Sequence, residues 1–203
     1  MYALVKDNSI SKIITNPKAM VIGDVRYPAK IFQLWSESEL NAIGIYEVIT
    51  DSTNKKDEAY YINTNEQFDY ANNQVTRSWG TATPKRLEDE NAVDEDGKNI
   101  LDDDGNQVIN YGLKTEKKRI VKQQASGLLE KTDWHNHKAL DDDTYTIPDN
   151  IKSYRADVRA KSNEMESQID ACTNVDELKA LYEYTEQEDG TQTRPLAEFP
   201  KEI

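Results

Sequence analysis

The chain has 203 residues, 36% hydrophobic against 31% charged, which suits two small modules with lean cores better than one large domain. With 38 Asp and Glu against 25 Lys and Arg, its formal charge of -13 argues against a nucleic-acid partner, whose phosphates must be met by cations, and against an anionic membrane surface. No run approaches the roughly 18 apolar residues of a membrane span, and the opening Met1-Tyr2-Ala3-Leu4-Val5-Lys6-Asp7 lacks the basic-then-apolar order of a leader, so maturation is expected where synthesis occurs.

Residues 1–85 read mainly as strands. Tyr2–Lys6 and Ile10–Ile14 flank Asp7-Asn8-Ser9, side chains that favour tight turns, so the chain opens on an expected hairpin. Met20–Ile22 and Val25–Tyr27 repeat that arrangement around Gly23-Asp24, and Pro28 ends the second strand. Ile31–Trp35 begins a helical insert. Ser36 and Glu39 stand at capping-box spacing, which predicts a helix to about Ala42, stopped by Gly44 in a left-handed conformation before a strand over Ile45–Ile49. Tyr60–Thr64, Gln67–Tyr70 and Gln74–Trp79 complete the strands, the last alternating buried Val75 with solvent-facing Thr76 after a turn at Asn72-Asn73.

Residues 86–112 change character to acidic turns separated by the apolar pairs Ile100-Leu101 and Val108-Ile109. Asp96-Gly97-Lys98-Asn99-Ile100 returns eight residues later as Asp104-Gly105-Asn106-Gln107-Val108, which predicts either one protruding hairpin or two successive turns. It is taken as a hairpin arm joining two modules.

From Leu113 the period becomes helical. Leu113, Ile120, Val121, Gln124 and Leu128 are the expected apolar stripe of a helix ending near Leu129, with Lys114, Lys117, Lys118, Arg119 and Lys122 on the remainder. A second long helix starts after Ile147-Pro148 and carries Ile151, Tyr154, Val158, Met165, Ile169 and Cys172 at spacings of three, four and seven. A short third helix follows Asn174, with Glu177 as its capping partner and Leu178, Leu181 and Tyr182 as its apolar residues. The remaining residues, 186–203, hold Gly190, Pro195 and Pro200 amid charges and are expected to be extended, either loose or laid against a neighbour through Leu196 and Phe199.

The expected fold is therefore α+β: a small antiparallel β-rich domain with one short helix over 1–85, an acidic hairpin arm over 86–112, a helical hairpin plus a short third helix over 113–185, and an extended tail over 186–203. Cys172, the sole cysteine, cannot form an intramolecular disulfide and falls on the apolar side of its helix, as a small buried hydrophobe does. Eleven Tyr against three Phe favour surfaces that are half apolar and half wet, and hence an assembly, with a homo-oligomer among the options.

Candidate sites weigh toward packing. The acidic arm lacks EF-hand spacing, since neither Asp94 nor Asp102 opens a loop with glycine at its sixth position and Glu at its twelfth. His135 and His137, beside Asp133 and Asp141-Asp142-Asp143, would splay apart on an extended chain, and no third His exists to complete a transition-metal site. No Ser or Cys stands in a nucleophile's context and no glycine-rich phosphate loop is present, so an enzyme is not expected and neither is a cofactor. The cations at 114–122 could pair with the 88–104 arm of another copy. Trp35 and Trp79 read as core residues; Trp134 reads as the pin of a polar corner in which Thr132 or Asp133 caps a helix end.

Leu128-Leu129, Thr132-Asp133-Trp134, Tyr154-Arg155 and Arg159 together resemble the C-terminal module shared by bacteriophage tail-fibre assembly proteins and related fibre or baseplate components, over about residues 113–185. Tyr27-Pro28-Ala29, Trp35-Ser36, Glu39-Leu40 and Gly44-Ile45-Tyr46 are similar to the N-terminal region of phage tail proteins of like size. The resemblance implies a structural tail component made in the host cytoplasm and carried in the virion. It would dock on other tail proteins and contact the host surface only indirectly, with Thr132, Asp133, Trp134, Tyr154, Arg155 and Arg159 as corner or partner-interface residues. A non-structural fibre-assembly chaperone is the alternative, and a carbohydrate-binding receptor module, suggested by the Tyr and Trp content, is the third reading. His135-Asn136-His137 and the acidic stretch to Ile147 depart from the family's shorter, proline-containing corner.

Overall fold

A computed structural model describes residues 1–203, which form an α+β protein of two compact units, Met1–Thr83 and Pro84–Ile203. The first unit is built on strands β1 (Tyr2–Lys6) and β2 (Ser9–Ile14), which turn through Asp7 and Asn8 at φ 49° and 60°. Two consecutive left-handed residues match the twist of a tight hairpin, and Asp and Asn tolerate that conformation better than other side chains with a Cβ. A β-bulge shifts the register between Leu4 and Val5.

A second hairpin, β3 (Met20–Ile22) with β4 (Val25–Tyr27), stands as its own two-stranded ladder. Helices α1 (Ile31–Leu34) and α2 (Glu37–Ala42) come next. Both halves of the capping box are present at α2: the amide of Glu39 donates to Ser36 Oγ, and the amide of Ser36 donates to Glu39 Oε2 at 2.8 Å. Gly44 then takes φ 79° within reach of β1, where a Cβ would lie 2.6 Å from the carbonyl oxygen of Val5, so glycine is required there.

Strand β5 (Ile45–Thr50) lies antiparallel to β1 and parallel to β8 (Gln74–Ser78); β7 (Gln67–Ala71) closes the other edge through a turn at Asn72 and Asn73, φ 53° and 58°. The sheet order is β2-β1-β5-β8-β7, antiparallel except for the β5–β8 pair. Its edge strands β2 and β7 come into contact, so the sheet curls. Both faces are covered. Leu4 joins Ile14, Ile31, Leu40 and Ile45 beneath the two helices, while Ala3 and Val5 join Val75 on the opposite face. The strand expected over Tyr60–Thr64 is only β6 (Tyr61–Ile62), paired with β9 (Thr83–Pro84). Its continuation is diverted because the Asn63 amide binds both backbone groups of Lys56 and Asn65 turns to φ 52°. Trp79 is buried, whereas Trp35 is half-buried and meets Tyr27 edge to face, its ring centroid 5.8 Å away.

The second unit opens with the arm. β10 (Glu90–Asn91) pairs with β11 (Ile109–Asn110), and between them the chain makes two successive turns closed by the bridges Val93↔Asn99 and Leu101↔Gln107. Residues spaced by eight meet at the centre. The amide of Ile100 donates to the carbonyl of Ala92, that of Val108 to Ile100, and that of Ala92 to Val108, at 2.8 to 2.9 Å, closing a ring of three hydrogen bonds. In each turn an Asp folds back as a staple. Asp94 Oδ1 accepts from the amides of Asp96 and Lys98, and Asp102 Oδ1 accepts from those of Asp104 and Asn106.

The rest of the unit is carried by four helices: α3 (Leu113–Glu130), α4 (Asp133–Asp141), α5 (Asp149–Ala171) and α6 (Val175–Ala180). α3 and α5 run antiparallel, since Lys114 and Lys118 of the first turns of α3 reach Asp170 at the end of α5, while Arg155 near the start of α5 reaches the end of α3. The stripe of α5 is as the spacing predicts: Ile151, Tyr154, Val158, Met165 and Ile169 are all buried, with Cys172 just beyond. The stripe of α3 is rotated from the expected one. Lys114, Val121 and Ala125 are buried while Ile120 is exposed, because the Lys114 ammonium has an ion pair with Glu88 and the carbonyl of Asp170 to bind, and Ala125 leaves room for Tyr154 and Val158. At α6 the Asn174 side chain accepts from the amide of Glu177, whose carboxylate returns to the amide of Thr173 at 2.6 Å.

The final residues form a small hairpin, β12 (Thr185–Glu186) with β13 (Gln192–Thr193), and then lie on the chain's own helices. Leu196 is 2% exposed and its amide donates to the carbonyl of Leu181; Gln168 binds both Pro195 and Ala197; Phe199 packs on Ala125, Tyr154 and Val158. The tail therefore has packing of its own, through the two residues that composition singles out. No helix is long and apolar enough to cross a membrane.

Candidate interaction surface

The end of α3 leaves carbonyls with no helical partner, and the Thr132 corner supplies partners for one of them. Thr132 Oγ1 donates to the carbonyl of Leu129 at 3.0 Å, capping that helix end. Arg155 reaches across from α5: its Nη1 donates to the same carbonyl at 2.8 Å and to Thr132 Oγ1 at 2.7 Å, and its Nη2 pairs with Asp133 Oδ1 at 2.8 Å. The Arg155 guanidinium is nearly buried, and its planar fork spreads the contacts over two nitrogens held in a fixed geometry, where a lysine would have to meet all three acceptors from a single nitrogen. The corner is thus pinned by Arg155. The sequence-based expectation that the indole pins it is corrected: Trp134 is 55% exposed, and Thr132 leads into the first turn of α4 instead of an acidic loop.

Trp134 stands on a small aromatic platform. Its ring stacks on His135 with centroids 3.7 Å apart, His135 Nδ1 meets Tyr145 Oη at 2.5 Å, and the Lys138 ammonium sits 4.3 Å from the Tyr145 ring centre. His135 is buried while His137 is exposed, so the two imidazoles do not converge, and no group of three His, Cys, Asp or Glu is arranged to hold a metal ion. Tyr145 and Lys138 complete this surface and were not singled out by the sequence; the only signal is an aromatic ten residues after His135, a spacing with no helical or strand meaning. Leu140, 80% exposed, adds an apolar side chain to the same helix.

The remaining predicted residues divide between core and surface. Tyr154 is buried against Ala125, Val158 and Phe199. Arg159 is exposed, and its Nη1 donates to the carbonyl of Arg155 at 3.3 Å. The cations of α3 do not wait for another copy: Lys114 pairs with Glu88, Lys118 with Asp170, Lys122 with Glu166 and Arg119 with Glu116, while Lys117 lies over the Tyr182 ring. Burial pushes the Cys172 thiol above its ordinary range, away from the thiolate form that reacts, and its Sγ donates to the carbonyl of Gln168. The Asp142 carboxyl is held below its ordinary range by the hydroxyl and amide of Thr144, and Asp102 is held down by the amide of Asn106.

Chemically, the arrangement offers contact surface. Thr132, Asp133 and Arg155 are engaged in closing the corner, and the groups turned outward are an indole, an ammonium and aliphatic carbon. No family model, curated protein or solved structure matches this chain.

Proposed function

We propose that this protein is a non-enzymatic structural component of a bacteriophage tail, associated with the fibre or baseplate, which works by docking its helical module on neighbouring tail proteins. The setting is drawn from the likeness of Thr132-Asp133-Trp134 and Tyr154-Arg155 to the tail family; the mode of action is drawn from geometry. One observation carries it: a corner fastened by Arg155 to Thr132 and Asp133 holds Trp134 outward, 55% exposed, where an interface would bury it. Exposed Trp beside a buried Arg clamp is the kind of rigid aromatic anchor on which binding energy concentrates.

Mass spectrometry of gradient-purified particles tests this reading. Several copies per particle are expected, with loss of the protein from particles when Trp134→Ala is introduced. Its absence from particles despite expression during infection would favour the second reading, an assembly chaperone. A furrow of about 550 Å³ beside Phe199, lined by Gln124, Gly127, Leu128, Lys131, Arg194 and Glu198, gives that reading a place to hold a client segment.

A further inference from the structure

Cations are distributed unevenly between free and engaged states. In the second unit most are paired, whereas Lys12 and Lys18 in the first take part in none of the chain's ion pairs or cation–π contacts. Both line a cavity of about 450 Å³ beside β2, whose floor is Leu4, Ile14 and Met20. Leu4 and Ile14 are buried side chains of the core, so the cavity has an apolar base under a basic rim, and its volume is that of an ordinary binding pocket. Such a site fits an apolar side chain followed closely by carboxylates.

The chain itself displays that pattern at the tip of the arm. Leu101 is 57% exposed and is followed by Asp102-Asp103-Asp104. Asp102 is engaged as the turn staple, but the carboxylates of Asp103 and Asp104 bind nothing in the chain and stand exposed. We infer that the arm of one copy docks on the Lys12 and Lys18 cavity of a second copy, with Leu101 entering the apolar base and Asp103 and Asp104 meeting the two ammonium groups. This inference does not depend on the phage setting. The contact joins unlike surfaces, so two copies can exchange arms and close as a dimer, or each can pass its arm to the next copy and extend into a ring or a filament.

Sedimentation velocity on the full chain tests it, at salt of about 20 mM and about 500 mM, below and above the range where exposed charges are screened. Species larger than a monomer are expected to grow with protein concentration at low salt and to recede at high salt. Lys12→Glu with Lys18→Glu should weaken association about tenfold or more, and so should Asp103→Lys with Asp104→Lys, because each places like charges across the contact. All four positions are exposed, so circular dichroism is expected to stay unchanged in both variants. Mixed together, the two charge-reversed variants should assemble again, since each cavity then faces an arm of opposite sign. A wild-type chain that stays monomeric at every concentration and salt overturns the inference. So does assembly that ignores either pair of substitutions, or a mixture that stays apart.

Discussion

The two units solve the same shortage of apolar residues in different ways. Met1–Thr83 holds 8 Lys and Arg against 10 Asp and Glu, and Pro84–Ile203 holds 17 against 28. In the first, a central strand is covered on both faces, so Ala3, Leu4 and Val5 are buried in succession and the charges stay outside. In the second, the seam between α3 and α5 is thin, and polar side chains extend it: Lys114 and Arg155 are buried and reach backbone carbonyls across the seam. A sheet can bury two faces with few residues, while a helix buries only a stripe, so the helical unit must recruit cations into its interior.

That contrast can be broken most sharply at Arg155. Arg155→Ala breaks the ties from α5 to the Leu129 carbonyl and Asp133, leaves the buried Thr132 oxygen without its donor, and should cost about 3 kcal/mol, read as a lowered midpoint in urea. In the sheet unit the comparable weak point is backbone. Gly44→Ala should cost about 2 kcal/mol by forcing a Cβ onto the Val5 carbonyl at φ 79°, read in the same way.

Acid should separate the units further. Glu39 and Asp51 in the first, and Asp102, Asp142, Glu177 and Asp189 in the second, are held below their ordinary ranges by hydrogen bonds from nearby backbone and hydroxyl groups. A carboxyl lowered on folding adds stability above its unfolded value and loses it as pH falls through the folded one, so the effect appears below about pH 4. Asp102→Asn combined with Glu177→Gln should flatten the dependence of the urea midpoint on pH in that window, while leaving its slope above about pH 6 unchanged. The smallest effect is expected at Trp134→Ala, within about 0.5 kcal/mol because the indole is mostly exposed. A large loss of stability there would mean that the ring serves the fold more than a partner.

Local chemistry was readable from the residues wherever it is confined to a few neighbours. Asp7-Asn8 and Asn72-Asn73 specify their turns, Ser36 with Glu39 specifies its cap, and the spacing from Ile151 to Cys172 specifies the buried side of α5. Features that depend on distant partners escaped. Lys114 looks like a solvent-facing cation until Glu88 and the Asp170 carbonyl are in place, and α4 has no apolar stripe to announce it, being held by Arg155 and by the His135–Tyr145 contact. The parallel pairing of β5 with β8 joins segments some 25 residues apart and has no turn to signal it. Of the surface around the corner, Trp134 and Arg155 were legible, but their roles were exchanged: the cation is the fastener and the aromatic faces water.

The three-bond ring joining Ala92, Ile100 and Val108 also sets a rule about length. Because the amide of each member gives to one neighbour and its carbonyl takes from the other, the circuit is complete at three and offers no free amide donor to a fourth. An extra octet spliced into this region could not simply stack on the end; it would have to open the circuit and leave backbone groups unmatched. The knob therefore has a fixed size, and relatives of this chain should vary the residues at its tips while keeping the interval of eight.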